Sequence, residues 1–227
     1  ASYSQVSLYR RAVMLVQASP EDSYVFDVFH VRGGKQHDWS LMGPQAEFSC
    51  TPPFGPVQEE GTLASPGVPY EEFYDDPKLQ GKPLGSVASR HYTGSGFQFF
   101  VHVQRAPLQD RAIAEWRLTE PLKGQAPRPW EGIGVRTHVV GADEELIAAD
   151  CQPQRYRQMP QWVKYLIRRR KGEDLRSVFA SVHEPFRGET WIESVTAAKV
   201  EPQDGDAVAV RVRLRNGETH FCFHSLN

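Results

Sequence analysis

The chain of 227 residues lacks several features by which protein classes are recognised. Its three cysteines, Cys50, Cys151 and Cys222, are too few and too scattered for a disulfide framework, although one disulfide bond plus one free thiol is possible. No paired Cys-x-x-Cys motif is present, which excludes a structural zinc site of that type. The chain has no run of about 20 apolar residues that could cross a membrane, and its first residues do not resemble a signal peptide.

A strong net charge is also absent. The chain has 26 basic and 28 acidic residues and a net charge of −2, so no overall field attracts it to nucleic acid or to a membrane surface. No Gly-x-Ser-x-Gly elbow, phosphate-binding loop, dinucleotide fingerprint or His-Glu-x-x-His motif is present. The first residue is not Met, which predicts that the chain was processed or excised from a longer protein.

The pattern that is present is that of β-strands. Helical periodicity is almost absent, and short runs rich in Val, Ile, Phe, Tyr, Trp and Thr recur between Gly, Pro, Asn and Asp clusters. The pattern predicts an all-β fold, in which residues 1–227 form a single large antiparallel β-sandwich, similar to a supersandwich, with one long irregular loop. The predicted strands are 8–16, 23–31, 37–43, 47–50, 97–104, 112–118, 134–140, 145–149, 162–169, 175–183, 190–200, 207–214 and 219–224.

The connections between these strands also carry signals. Residues 170–174 and 215–218 each predict a hairpin, and Asn216-Gly217 favours a type I′ turn in the second. Gly33-Gly34 predicts a tight turn between the second and third strands. Residues 51–83 contain seven prolines and little alternation, which indicates a Pro-rich excursion over the surface of the same domain rather than a linker.

His37, Asp38 and Trp39 form a possible wall of a cleft. Adjacent residues of a strand point to opposite faces of a sheet, so His37 and Asp38 cannot both address one small site without a bulge. The pattern therefore favours a half-buried strand with a hydrogen-bonded histidine.

The last predicted strand offers a weak metal-binding candidate. His220, Cys222 and His224 share one face, but no matched third and fourth ligands are evident elsewhere. The favoured interpretation is that Phe221 and Phe223 face the core and the histidines face solvent. No metal and no other cofactor is predicted for this chain, and a metal elsewhere in the parent protein stays open.

A basic stretch between residues 155 and 176 includes aromatic side chains. Arginine pairs bidentately with carboxylates and sulfates, and aromatic rings stack on sugar rings, so this composition suits an acidic glycan. A solvated hairpin tip is the alternative, and no motif for RNA or DNA recognition accompanies the charges. The candidate glycan-binding residues are Arg155, Arg157, Trp162, Lys164, Arg168 and Arg170.

His183-Glu184-Pro185 favours a structural role. The residue before a proline is extended, so Glu184 is expected at a strand end, where its carboxylate caps a backbone or pairs with an arginine such as Arg187.

Dispersed matches over most of the chain resemble the β-domain of heparinase II/III-like polysaccharide lyases. The matches are Tyr9-Arg10-Arg11, residues 24–43, residues 132–136 followed by 143–149, and residues 162–170 followed by 177–186. The resemblance implies an N-terminal α/α-toroid followed by a C-terminal antiparallel β-sandwich in the parent protein. It also implies a periplasmic or secreted enzyme that cleaves uronic-acid polysaccharides such as a glycosaminoglycan or alginate by β-elimination.

The family's catalytic segments have no match in this chain. Its catalytic Tyr, Asn and His lie in the toroid, and a further His lies in a His-Gly-His-x-Asp-like segment at the start of the sandwich. Where many relatives have a histidine after His-Asp-Trp-Phe-Leu, this chain has Met42. No catalytic residue is predicted, and the expected partners are the missing toroid and an anionic polysaccharide. The alternatives are a stand-alone carbohydrate-binding module and a purely structural or interaction domain.

Overall fold

The computed structural model describes residues 5–82, 91–118, 132–153, 162–201 and 205–226. It is almost entirely β, and its strands form three antiparallel sheets in a sandwich-like arrangement. A short 3-10 helix, Phe97–Phe99, precedes the fifth strand. The strands are β1 (Leu8–Gln17), β2 (Ser23–Arg32), β3 (Gln36–Met42), β4 (Glu47–Thr51), β5 (Phe100–Leu108), β6 (Arg111–Arg117), β7 (Ile133–Val140), β8 (Glu144–Cys151), β9 (Val163–Lys171), β10 (Arg176–Arg187), β11 (Ile192–Ala198), β12 (Val208–Leu214) and β13 (Thr219–His224).

A six-stranded sheet, in the order β1-β2-β10-β7-β6-β4, forms the middle layer. The sequence of β2 explains this position, because both faces of this strand have large apolar side chains. Tyr24, Phe26 and Val28 pack against the three-stranded sheet β11-β12-β13. Phe29 and Val31, on the opposite face, pack against the four-stranded sheet β3-β9-β8-β5.

The Pro-rich excursion covers the outer face of the four-stranded sheet. Leu63 is buried against Val103, Ile147 and Ile167 of that sheet. Phe73 is buried as well, with its ring centroid 6.3 Å from that of Phe99. The described part of the excursion, residues 51–82, therefore packs as a further layer on the sandwich.

The predicted hairpin at residues 170–174 is wrong. The strands on either side of it, β9 and β10, lie in different sheets and do not pair. The turn at Gly33-Gly34 likewise passes from the six-stranded to the four-stranded sheet, and both glycines have positive φ, 92° and 83°. The two connections contact each other, since the Gly33 amide donates to the Leu175 carbonyl at 2.8 Å.

The hairpin between β12 and β13 is confirmed, but its turn type is not I′. Gly217 takes a positive φ of 93°, whereas Asn216 is not among the residues with positive φ. The Gly217 amide donates to the Leu214 carbonyl at 3.0 Å, which closes a turn over residues 214–217. Because Asn216 does not have a positive φ, this turn is not of type I′. No helix in the described parts of the chain has the length and apolar character needed to cross a membrane.

Candidate functional site

A cleft of about 340 Å³ opens where the four-stranded sheet separates from β4 at one end of the sandwich. Asp150 of β8 and Lys164 of β9 are direct cross-strand neighbours, so their side chains share one face of the sheet. That face is the inner one, because Leu146 and Leu166, which have the same parity on these strands, pack in the core between the sheets. The residues that line the cleft are Pro44, Gln45, Ala46, Phe48, Gln104, Asp150, Trp162, Val163 and Lys164.

A β-bulge in β5 shapes one side of this region. The register between β5 and β8 shifts between Val101 and Gln104, and His102 lies in the bulge with a φ of 51°. A positive φ is uncommon for a residue other than glycine, and bulges re-aim side chains. The bulge presents His102 to solvent, with 57% of its side chain exposed.

Asp150 holds the polar groups of the cleft together. One carboxylate oxygen lies 2.6 Å from the Lys164 ammonium nitrogen, and the other lies 2.9 Å from Nδ1 of His102. A carboxylate on Nδ1 fixes the orientation of the imidazole and leaves Nε2 pointing away from the pair. The result is an oriented imidazole and a lysine that share one carboxylate, and both Asp150 and Lys164 line the cleft.

Trp162 supplies an aromatic surface next to these charges. Its ring centroid lies 5.8 Å from that of His102 and 5.8 Å from that of Tyr70, and both contacts are edge-on. An aromatic ring next to hydrogen-bonding side chains is suited to a sugar, whose ring has an apolar face and hydroxyl groups at its edge. Gln104 and Lys164 are the nearby groups that can bond to hydroxyl and carboxylate oxygens.

Arg168 was predicted to bind glycan, but the structure places it in the interior with 0% of its side chain exposed. Its guanidinium forms two bonds to the Glu144 carboxylate, with Nε–Oε2 at 2.7 Å and Nη2–Oε1 at 2.9 Å. It also donates to the carbonyl oxygens of Ala180, at 2.7 Å, and Val140, at 3.0 Å. Every donor direction is used inside the protein, so Arg168 cannot contact a glycan.

Arg170 is only partly available. It shares the Glu144 carboxylate with Arg168, at 2.6 Å from Nη2 to Oε1, and 22% of its side chain is exposed. Arg170 also lines a cavity of about 650 Å³ beside the three-stranded sheet, and it lies near the opposite end of β9 from Trp162. Arg155 and Arg157 lie outside the described residues. The structure thus brings Trp162 and Lys164 together and separates Arg168 from them.

His37, Asp38 and Trp39 do not form a cleft wall. His37 is buried, with Nδ1 2.9 Å from the Ser177 hydroxyl and Nε2 2.6 Å from the Gly33 carbonyl, as the hydrogen-bonded interpretation predicts. Asp38 pairs bidentately with Arg169 at 2.8 and 2.7 Å. Trp39 is buried in the core between the sheets. All three residues join β3 to its neighbours.

The prediction that Phe221 and Phe223 of the last strand face the core is wrong. Phe221 and Phe223 are 70% and 53% exposed, whereas Cys222 is buried against the six-stranded sheet. His220 and His224 turn inward with Cys222, where Nδ1 of His220 lies 3.1 Å from the Tyr24 hydroxyl. Within the described ranges, no group of three or more His, Cys, Asp or Glu side chains could hold a metal ion.

The three cysteines are free thiols. Burial raises the pKa of Cys50 and of Cys151 to about 11, so both thiols stay protonated at neutral pH. Burial also raises the pKa of Cys222.

His102, Asp150 and Gln104 were not singled out by sequence reasoning. Asp150 and Lys164 are 14 positions apart, and only the register between β8 and β9 makes them neighbours. The bulge that exposes His102 contains no glycine, so the sequence has no signal that predicts it. A correct pairing of β8 with β9 would have found the Asp150–Lys164 pair, but no local pattern indicates that pairing.

Comparison with models of known protein families gives no match for this chain. Comparison with curated proteins gives no match either.

Proposed function

We propose that the chain is the β-sandwich portion of a heparinase II/III-like polysaccharide lyase, where it supports a catalytic α/α-toroid and contacts an anionic glycan. In this proposal the parent protein cleaves uronic-acid polysaccharides by β-elimination, and the chain alone is not catalytic. The observation that carries the glycan contact is the cleft in which Trp162 lies beside Lys164 and Gln104. The likeness to lyase sequences described above supports the choice of an acidic polysaccharide.

The edge strand β1 supports the part of the proposal that concerns the toroid. Tyr9, Val13 and Leu15 lie on the same face of this strand and are 64%, 62% and 72% exposed. An edge strand that exposes apolar side chains, and whose outer backbone edge pairs with no other described strand, is suited to contact with a further domain. The same observation favours an interaction domain as the second candidate function.

Affinity electrophoresis tests the glycan contact. Gels that contain alginate or heparan sulfate should slow the migration of the chain, and added salt should weaken the effect because the charges are at the surface. Trp162→Ala and Lys164→Gln should each reduce the retardation, since one removes the aromatic surface and the other the ammonium group.

Lys171→Gln is the matched control, because Lys171 is exposed on the same strand as Lys164 but lies at its other end. It should migrate like the unchanged chain. If neither polysaccharide slows the chain, the glycan contact is refuted and the interaction-domain alternative gains support.

The reading frame upstream of Ala1 tests the proposal that the parent protein is a lyase. Helical repeats followed by a His-Gly-His-like segment would support the lyase, and their absence would refute it.

A further inference from the structure

A different cavity, of about 450 Å³, lies between the six-stranded sheet and the edge strand β11. Thr51, Ile113 and His138 oppose one another across β4, β6 and β7, so their side chains stand in a row on one face of the sheet. Ser194 and Val195 of β11 line the facing side of the cavity. The register between β11 and β12 shifts between Ile192 and Ser194, which places a bulge at this wall.

The orientation of His138 is fixed by a buried carboxylate. Glu184 is fully buried, and its Oε1 accepts from the backbone amides of Trp191 at 2.5 Å and Ile192 at 2.8 Å. Its Oε2 lies 3.0 Å from Nε2 of His138. Glu184 therefore caps a backbone segment, which is one of the two roles that the sequence predicts, and in addition holds the imidazole in place. The predicted strand end at Glu184 is wrong, because β10 continues through Pro185 to Arg187.

This contact decides which nitrogen of His138 faces the cavity as an acceptor. An ionised carboxylate only accepts hydrogen bonds, so beside it Nε2 keeps its proton and donates a hydrogen bond to Glu184. Nδ1 has no hydrogen-bond partner among the described residues, and His138 lines the cavity. In the neutral ring Nδ1 therefore presents its lone pair to whatever occupies the cavity.

A cation lies on the same face. Arg111 opposes Val140, two residues from His138 on β7, which places it diagonally across from the histidine at roughly 7–8 Å. Arg111 is exposed and lines the cavity, and its side chain forms no hydrogen bond or ion pair within the part of the chain that the structure describes. The one carboxylate in the lining, that of Glu193, is paired with Arg213 at 2.7 Å.

We propose that this cavity binds a small carboxylic acid that carries a hydroxyl group. The hydroxyl donates a hydrogen bond to Nδ1 of His138, and the carboxylate pairs with the guanidinium of Arg111. The hydroxyl groups of Thr51 and Ser194 provide further polar contacts at the walls. The site uses none of the residues assigned to the glycan contact, so either proposal can fail without the other.

Nitrogen NMR of the imidazole rings, with glycerate as the probe, tests this site. The free protein should show His138 with its proton on Nε2, and glycerate should shift the Nδ1 signal with a dissociation constant on the order of 1 mM. Propionate, which lacks the hydroxyl groups, should bind more weakly by about tenfold, because it leaves Nδ1 without a donor.

Two variants locate the binding. His138→Gln keeps an N–H where Nε2 donates to Glu184 but removes the acceptor at Nδ1, and Arg111→Gln removes the cation; each should weaken glycerate binding by about tenfold. His138→Gln is followed through the backbone amide signals of Ser194 and Ile113. Arg187→Gln is the control, because Arg187 is also exposed but does not line the cavity, and it should bind as the unchanged protein does.

Three results would overturn the proposal. The first is a His138 ring protonated at Nδ1 instead of Nε2. The second is a folded protein with no saturable shift on addition of glycerate. The third is unchanged glycerate binding in Arg111→Gln and His138→Gln.

Discussion

The polar contacts that β13 makes with the six-stranded sheet differ from those on the opposite face of that sheet. Toward the four-stranded sheet, the interface contains complete ion pairs, Arg168 with Glu144 and Arg11 with Asp27. Toward the three-stranded sheet, the polar contacts of β13 join groups that are neutral when buried, whereas elsewhere on this side Glu184 lies beside His138 and Asp206 pairs with Arg32 and Arg176. The Tyr24 hydroxyl lies 3.1 Å from His220 and 3.3 Å from Sγ of Cys222, and Nε2 of His30 lies 3.1 Å from Nδ1 of His224.

The difference predicts how each interface fails. A buried ion pair is strongly destabilising when one partner is removed, because the other is left charged in the interior. A pair of neutral histidines tolerates substitution better but responds to mild acid, because burial disfavours the charged form of each ring. Burial raises the pKa of Tyr24, which keeps its phenol neutral beside Cys222.

Arg168→Met should have the largest effect. It leaves the fully buried Glu144 with one arginine and deprives the carbonyl oxygens of Ala180 and Val140 of a donor, so we expect the free energy of unfolding to fall by about 3–5 kcal/mol. Urea unfolding at neutral pH measures the change. Arg170→Met is the control, because Arg168 still holds Glu144 there, and it should cost about 1 kcal/mol. Equal losses in the two variants would refute the role given to Arg168.

Asp27→Asn should have an intermediate effect that depends on pH. Burial alone would raise the pKa of Asp27, but hydrogen bonds from His183 and Arg11 outweigh it and hold the pKa at about 2. A folded-state pKa below the usual 3.8 means that the ionised carboxylate stabilises the fold above that pH, and that this contribution is lost as the pH falls toward 2.

The size of this contribution follows from the shift of the pKa. It corresponds to roughly 2 kcal/mol, so Asp27→Asn should lose about that much at neutral pH and show a flatter acid limb. The measurement is urea unfolding at a series of pH values. An acid limb as steep as that of the unchanged protein would show that Asp27 is not the titrating group.

Mild acid should have the smallest effect on stability, and this effect should be confined to the interface between the six-stranded and the three-stranded sheets. Burial lowers the pKa of His30, with a further contribution from His224, and burial also lowers the pKa of His224. Both histidines thus stay neutral in the fold, while the unfolded chain takes up protons below about pH 6.5, so stability falls as the pH drops below that value. The other charged groups that act on His30 are Arg10, Arg32 and Asp206.

Hydrogen exchange distinguishes the two interfaces in this experiment. Between neutral pH and about pH 5, after correction for the intrinsic rate, amides of β13 should lose protection before those of β9. His224→Gln should reduce this difference, because it removes one of the two titrating rings. Uniform loss of protection in both strands would mean that the histidine pair does not control the interface.

Local alternation predicted the strands well. All 13 predicted strands correspond to observed ones, and the last coincides with β13 in both bounds. The fifth is the least accurate, because a 3-10 turn occupies Phe97–Phe99 and the strand then runs on to Leu108. Alternation is a property of neighbouring residues, which is why it can be read without knowing the partners of a strand.

The candidate site was much harder to predict. Trp162 and Lys164 were identified because arginine, lysine and aromatic residues cluster nearby in sequence, and the same reasoning included Arg168. Arg168 and Lys164 point to the same face of β9, yet Lys164 lies at the cleft and Arg168 in the centre of the interface. How deeply a side chain of a strand is buried depends on which sheet packs over it, and no local sequence pattern indicates that.

The sequence by itself therefore determined the all-β class, the positions of the strands and the hairpin at Asn216-Gly217, because these depend on residues a few positions apart. Only the tertiary structure decided that β2 and β3 lie in different sheets, that Cys222 rather than Phe221 faces inward, and that His138 meets Glu184 beside a cavity. These outcomes depend on pairing between distant strands, where a shift of one residue exchanges the buried and exposed faces.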